Sequence, residues 1–192
     1  RDIDGNIMGT LFVDKLDPQS GTSLEIGSSG DTITIPSGAT ITNNGTQTGF
    51  GGDNKPAFQA HGNSTQSISN ASLTKLQFNV ESFDEGSCYD HSTNYRFTPN
   101  VAGKYFIYLM GQWSSGSDWN GNRFEIHKNG SVVAGTQGRN EYYNTMYVTT
   151  VIDINGSSDY VEAFARQDSG GAVNAALDDS TRTRFGGYKL IT

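Results

Sequence analysis

The stretch Phe97-Thr98-Pro99-Asn100-Val101-Ala102-Gly103-Lys104-Tyr105-Phe106-Ile107-Tyr108-Leu109-Met110 decides how this chain is read. Its last six residues are apolar or aromatic at consecutive positions, the pattern of a strand covered on both faces. Upstream, Leu76, Phe78 and Val80 alternate with polar residues, as in a strand with one buried face. Downstream, Phe124 and Ile126 alternate, and Asn129-Gly130 supplies the positive-φ turn of a tight hairpin into Val132-Val133. Glu141 to Ile154 reads as one long strand, and Asn155-Gly156 turns the chain toward another at Tyr160–Arg166. Arg184 to Ile191 closes the chain as a further strand. No segment carries sustained helical periodicity with caps. Many short strands at regular spacing predict an all-β sandwich or jelly roll.

The bulk properties set limits around that reading. The chain has 192 residues and a net charge of −7, enough length for one large domain or one domain with an appendage. The acidic balance, with Lys and Arg scattered, argues against nucleic acid and against anionic membrane as partners, since both need a basic face. No apolar run approaches the ~18 residues of a membrane span, so no membrane insertion is expected, and no N-terminal stretch has a secretory-signal pattern. Cys88 stands alone, which leaves no intrachain disulfide and no cysteine-based zinc site. Arg1 is not an initiator. Residues 1–7 therefore read either as an added segment or as the cut edge of something longer, with Met8 a candidate natural start.

Aromatic residues divide the chain in two. Residues 1–55 hold only Phe12 and Phe50; all the others lie in 56–192. A packed core is therefore expected from Pro56 onward. The earlier region has its own rhythm: Leu24-Glu25-Ile26 runs into Gly27-Ser28-Ser29-Gly30, Ile33-Thr34-Ile35 into Pro36-Ser37-Gly38, and Ile41-Thr42 into Asn43-Asn44-Gly45. Each unit is a short alternating strand ended by a turn, with one apolar face and no partner layer inside the chain. Identical chains winding about a common axis would supply that layer; a disordered Ser/Gly linker is the alternative. The expected organisation is a stem and attachment segment over 1–50, a Gly-rich hinge over 51–55 and a globular head over 56–192.

Further residues fall into a recognisable order. Pro56-Ala57-Phe58-Gln59-Ala60 opens the head, followed by Phe78-Asn79, Tyr89-Asp90 and the stretch from Phe97 to Phe106 quoted above. Asp153-Ile154-Asn155-Gly156 then leads to Asp159-Tyr160-Val161, and Phe185-Gly186-Gly187-Tyr188-Lys189-Leu190 closes the chain. Over 56–192 this order resembles the globular head of complement component 1q and its tumour-necrosis-factor-like relatives. Two departures stand out. The turn before Val161 is stretched to Gly156-Ser157-Ser158-Asp159, and no collagen repeat precedes the head. In its place, Phe12 to Thr22 and Asp31 to Ile41 resemble segments of phage tail-fibre proteins. The resemblance implies a ten-stranded jelly roll, homotrimeric, at the tip of a virion tail fibre made in the host cytoplasm. It further implies contact with other virion tail proteins through the N-terminal segment, and with a host-surface glycan or protein through the head. The rival readings are a structural head that only caps and trimerises the fibre, and a secreted complement-like recognition protein.

The sequence carries no signature of catalysis: there is no G-x-S-x-G, no P-loop and no H-E-x-x-H. No enzymatic activity is expected. His61, His91 and His127 show no ligand spacing and read as surface or packing residues. Asp84-Glu85 and Asp178-Asp179 lack a glycosidase arrangement, because adjacent acids in a strand point to opposite faces. Asp153-x-Asn155-Gly156-x-x-Asp159 breaks the calcium-loop spacing and has no closing Glu. Calcium enters by a different route: if Asp84, Glu85, Asp90, Asp178 and Asp179 of three copies gathered at a trimer apex, a cation would relieve their repulsion. Receptor-binding candidates are Trp113, Asp118, Trp119 and Asn120 in a Ser/Gly/Asn loop, with Tyr142 and Tyr143 as a second patch. Their rings offer apolar faces to a sugar and their amides and carboxylate bind its hydroxyls. The competing reading packs Trp113 and one or both tyrosines into the core or the trimer seam. Asn44, Asn63, Asn70, Asn129 and Asn155 each satisfy N-x-[ST]; in a chain this rich in Asn, Ser and Thr, coincidence and turn chemistry account for them.

Overall fold

The computed structural model describes residues 14–45, 54–114, 119–140 and 145–191. The chain divides into two compact units, 1–48 and 49–192.

In the first unit the described residues form turns without ladders. Asp31 donates its N–H to Ser28 O at 3.0 Å and Ala39 donates to Pro36 O at 3.1 Å, while the Asp31 carboxylate accepts from Ser28 N–H at 2.7 Å. The turns fall where glycine punctuates the sequence. Between them Leu24, Ile26, Ile33, Ile35 and Ile41 are all exposed, and no strand is formed among residues 14–45.

The second unit is entirely strand and turn among its described residues. Its strands are β1 (Ala57–His61), β2 (Gln66–Ile68), β3 (Thr74–Lys75), β4 (Val80–Glu85), β5 (Tyr89–Asp90), β6 (Arg96–Phe97), β7 (Gly103–Gln112), β8 (Trp119–Lys128), β9 (Ser131–Asn140), β10 (Thr145–Ile154), β11 (Val161–Arg166), β12 (Val173–Ala175) and β13 (Arg184–Lys189). One sheet has the order β10-β7-β13-β1-β4; the facing sheet runs β5-β6-β11-β8-β9, with β3 also on β11, and β12-β2 form a small pair. The described strands number thirteen rather than ten, because two- and three-residue pieces such as β2, β3, β5, β6 and β12 border the long ones. Leu76 and Phe78 alternate inward as expected, yet they lie between β3 and β4 and not in a ladder; Leu76 is tied by its N–H to Ala163 O at 2.9 Å.

The residues of the recurring pattern meet in one aromatic cluster. Phe58 stacks on Phe97 with centroids 4.3 Å apart and on Tyr89 at 4.8 Å, and meets Phe185 edge-on at 5.0 Å. Phe97 in turn contacts Tyr105 at 5.8 Å. Two of these rings carry hydroxyls, and each hydroxyl finds a carbonyl: Tyr105 Oη donates to Val101 O at 2.7 Å and Tyr89 Oη to Phe78 O at 3.0 Å. Burial holds both phenols above their ordinary range, Tyr105 at about 12. Offset and edge-on aromatic pairs of this kind each add roughly 0.5–1.5 kcal/mol beyond area burial.

Strand β7 departs from its sequence reading. Tyr105, Ile107 and Leu109 are fully buried, but Phe106, Tyr108 and Met110 are only half-buried. Within this unit the other strands cover a single face of the strand. The other lies on the outer side of the β10-β7-β13-β1-β4 sheet, away from the facing β5-β6-β11-β8-β9 sheet of the same unit.

Candidate functional site

The register of that sheet determines what its outer face presents. Tyr147 lies opposite Met110, Thr149 opposite Tyr108, and Val151 opposite Phe106. On the other side of β7, Met110 faces Arg184, Tyr108 faces Gly186 and Phe106 faces Tyr188. Gln59 follows beside Gly186, and Phe83 beside Gln59. These pairings place Tyr147, Val151, Phe106, Tyr108, Met110, Tyr188 and Phe83 on the outer side of the sheet, with Thr149, Arg184 and Gln59 among them. Tyr147 is 63% exposed and Val151 53%, and Phe83 and Tyr188 are exposed as well. Phe106 and Tyr188 contact at 5.6 Å between centroids, and Tyr108 Oη donates to Gln59 Oε1 at 2.8 Å. Sequence reasoning missed this face because both phases of β7 are apolar, so no alternation marks the uncovered side.

The second feature is one end of the sandwich. Strand β7 ends there at Gln112, β8 begins there at Trp119, and β10, β13 and β4 begin there, since Gln112 pairs with Thr145 and Arg184 with Met110 while Val80 pairs with His61. Backbone bonds lace this end together. Ala176 N–H donates to Gln112 O at 2.8 Å, Ser114 N–H to Asn174 O at 2.8 Å, and Gly62 N–H to Leu177 O at 2.9 Å.

The candidate receptor-binding residues sort unequally. Trp113 is 1% exposed and packs on Phe124 with centroids 5.2 Å apart; it is a core residue at the end of β7, and its ring is not available to a ligand at the surface. Trp119 and Asn120 open β8, Trp119 pairing with Asn140 at the same end of the molecule. Asp118, Tyr142 and Tyr143 lie outside the described residues.

The acids expected to gather at an apex do not share one end. Glu85 pairs with Ala57 and Asp84 with Phe58, and Asp90 pairs with Arg96, all at the end opposite Gln112. Asp178 and Asp179 sit beside Gln112, where they line a common pocket. Most of these carboxylates already serve the backbone. Asp84 accepts from Cys88 N–H at 3.1 Å and Tyr89 N–H at 3.0 Å, and Glu85 pairs with Lys55 at 3.1 Å. Asp90 accepts from the N–H groups of Thr93 at 2.9 Å, Ser92 at 3.0 Å and Asn94 at 3.0 Å, donors that hold its carboxyl well below the usual carboxylate range. Asp179 accepts from Thr181 Oγ1 at 2.5 Å and Thr181 N–H at 3.0 Å, which lowers its pKa in the same way. Among the described residues, no group of three His, Cys, Asp or Glu side chains is placed to hold a metal.

The histidines are separately engaged. His91 Nδ1 meets Glu81 at 2.6 Å. His127 Nε2 meets Glu125 at 2.8 Å while its ring lies 4.3 Å from Phe164. His61 Nδ1 is 3.4 Å from Ser82 Oγ. The Asn155 segment that superficially suggested a calcium loop is closed by itself. Asn155 Oδ1 accepts the N–H groups of Ser157, Ser158 and Asp159 at 2.9, 3.0 and 3.1 Å. Asn129, with φ 52°, and Gly130, with φ 78°, make the expected hairpin turn between β8 and β9.

No protein-family model matches the sequence, and no curated protein matches it. Solved structures do. The vertex protein P5 of PRD1 superposes with a TM-score of 0.55 at 14% identity, over 72% of this chain and 99% of that one. Murine APRIL superposes with a TM-score of 0.54 at 12% identity, over 70% of this chain and 98% of that one. The Eiger tumour necrosis factor of S. frugiperda gives 0.50 at 10% identity, over 70% and 91%. At such identities the likeness is one of fold, and the fold of this chain's strand-rich unit is the tumour-necrosis-factor-like jelly roll.

Proposed function

We propose that this protein is a homotrimeric, non-catalytic virion tail-fibre protein whose head binds a receptor, a glycan or a protein, on the host surface. The observation that carries the reading is the uncovered aromatic face of the β10-β7-β13-β1-β4 sheet. Large side chains of this kind gain roughly 1.5–3 kcal/mol each on full burial, and exposed aromatic and aliphatic side chains gathered on one sheet face mark an interaction surface. Copies of the chain around a threefold axis would bury it. The exposed apolar side chains of Leu24, Ile26, Ile33, Ile35 and Ile41 ask for the same arrangement: three stems wound together would supply the layer that one stem lacks, and would leave the N-terminal segment to meet other virion tail proteins. A fold shared with a vertex protein supports placement on a virion. The end of the head at Gln112 and Trp119 would face the receptor, and three weak sites on one trimer gain strength through effective concentration.

The test is attachment of the purified full chain to host cells, alongside the Trp119→Ala variant. Attachment by the unaltered protein, reduced at least tenfold in a variant that keeps its trimeric mass, supports receptor binding at this end. A trimer that never attaches is a structural cap, and release of reducing sugar from host envelope material would replace binding with catalysis.

A further inference from the structure

A pocket of about 410 Å³ opens at the Gln112 end of the head, lined by Thr65, Gln112, Ser114, Asp178, Asp179 and Arg182. We propose that it is a binding site for one neutral hexopyranose unit, with the Asp178 carboxylate accepting hydrogen bonds from two adjacent sugar hydroxyls. This rests on the receptor-binding reading and names the chemistry of its ligand.

Three observations converge. The first is rigidity. The floor is set by Ala176 N–H on Gln112 O at 2.8 Å, and the wall turn by Thr183 N–H on Asp179 O at 2.8 Å and Arg182 N–H on Asp179 O at 3.0 Å. Ser114 Oγ is fixed on Asn174 O at 3.0 Å. A pocket held by main-chain bonds is formed before a ligand arrives, which lowers the ordering cost of binding.

The second is the division of labour between two neighbouring acids. Asp179 is committed to its own turn through Thr181 and, at 3.5 Å, Arg182. Asp178 is exposed and makes no hydrogen bond or ion pair with any described residue. It is the one acid of the five read from the sequence that does no structural work, and it borders the pocket.

The third is the mixture of groups and the size. An ionised carboxylate only accepts, a guanidinium only donates, and the hydroxyl of Thr65 contains both functions. Each sugar hydroxyl is likewise donor and acceptor. Gln112, 2% exposed, lines the pocket beside Ala176. The volume falls at the lower end of the roughly 300–1,000 Å³ of small-molecule sites, room for a single ring unit of a longer glycan. Two carboxylates against one guanidinium exclude sugars that carry their own carboxylate, such as sialic or uronic acids, since like charges set together are costly.

The experiment is saturation-transfer NMR on the full chain with the methyl glycosides of glucose, galactose and mannose, and N-acetylneuraminic acid as the acidic comparison. Asp178→Ala and Asp178→Asn are measured beside the unaltered protein, with the molar mass of each checked. The expected result is transfer to at least one neutral hexoside, none to the acid, and affinity at least tenfold weaker in Asp178→Ala with the mass unchanged. Hexoside binding that survives both variants, or transfer to the acid alone, overturns the pocket assignment and leaves receptor binding standing. Host-cell attachment without any hexoside signal does the same. Loss of both attachment and sugar binding in the unaltered protein removes the two readings together.

Discussion

At the scale of the residue, Gly186 and Gly187 show why the closing motif takes its form. A Cβ on Gly186 would lie 2.3 Å from Tyr108 Oη and 2.9 Å from Phe58 O; on Gly187 it would lie 2.5 Å from Ile107 Cδ1 and 2.9 Å from Phe106 O. The two glycines face opposite sides of β13 and clear space for neighbours on both. Tyr108 uses that space to lie across the sheet and reach Gln59. Gly186→Ala should therefore cost about 1–3 kcal/mol, as overpacking does, measured by urea unfolding of the head. Gly171→Ala, where nothing stands within 4 Å, should stay within about 0.5 kcal/mol. The motif was legible in the sequence as a pattern. Its reason needs the pairing of Gly186 with Tyr108, a contact between residues far apart in the chain.

At the scale of the element, the turn between β10 and β11 links side-chain chemistry to acid stability. Asp159 is a buried carboxylate. Lys128 Nζ lies 2.9 Å from it, Asn129 Nδ2 donates to it at 2.7 Å and Asn155 N–H at 2.9 Å. These partners, Lys128 foremost, lower its pKa from the ordinary 3.8 to about 2. A carboxyl whose folded pKa is depressed contributes stability above its unfolded pKa and loses it as pH falls through the folded value. The head should thus unfold more easily between about pH 4 and pH 2, with Asp90 adding to the same slope. Asp159→Asn should lower stability at pH 6 and shrink the difference between pH 6 and pH 3, measured by denaturant titration at each pH. An unchanged slope would place the acid sensitivity elsewhere. The turn residues Asn155-Gly156 and Asn129-Gly130 were legible from the sequence; that one carboxylate ties the two turns together was not, because 129 and 159 belong to different hairpins.

At the scale of the whole molecule, the uncovered sheet face makes assembly the deciding property. A Tyr147→Asp, Val151→Asp double variant puts two carboxylates on the face while leaving the buried side of β10, with Met146, Val148 and Ile152, intact. Light scattering of the unaltered full chain should give three times the 20.7 kDa chain mass. The double variant should fall to a single chain with its strand content unchanged by circular dichroism. A monomeric unaltered chain would leave both the face and the stem residues without a partner, and the fibre reading would fail with them.

Local chemistry in the chain determined the class of structure: alternation at Phe124 and Ile126, the Asn-Gly turns and the concentration of all aromatic residues but Phe12 and Phe50 in 56–192 already point to a β sandwich with one core. The aromatic cluster was visible too, since Phe58, Tyr89, Phe97, Tyr105 and Phe185 are the residues that carried the resemblance. Tertiary structure alone decided which side of each strand faces what. In β7 every side chain from Tyr105 to Met110 is apolar, so only the register with β10 and β13 separates core from surface. Trp113 and Asp178 make the same point in opposite directions. A tryptophan in a polar loop segment turned inward onto Phe124, while an acid read from the sequence as one of an apex cluster was left bordering a pocket, because burial depends on what the rest of the chain packs over a residue.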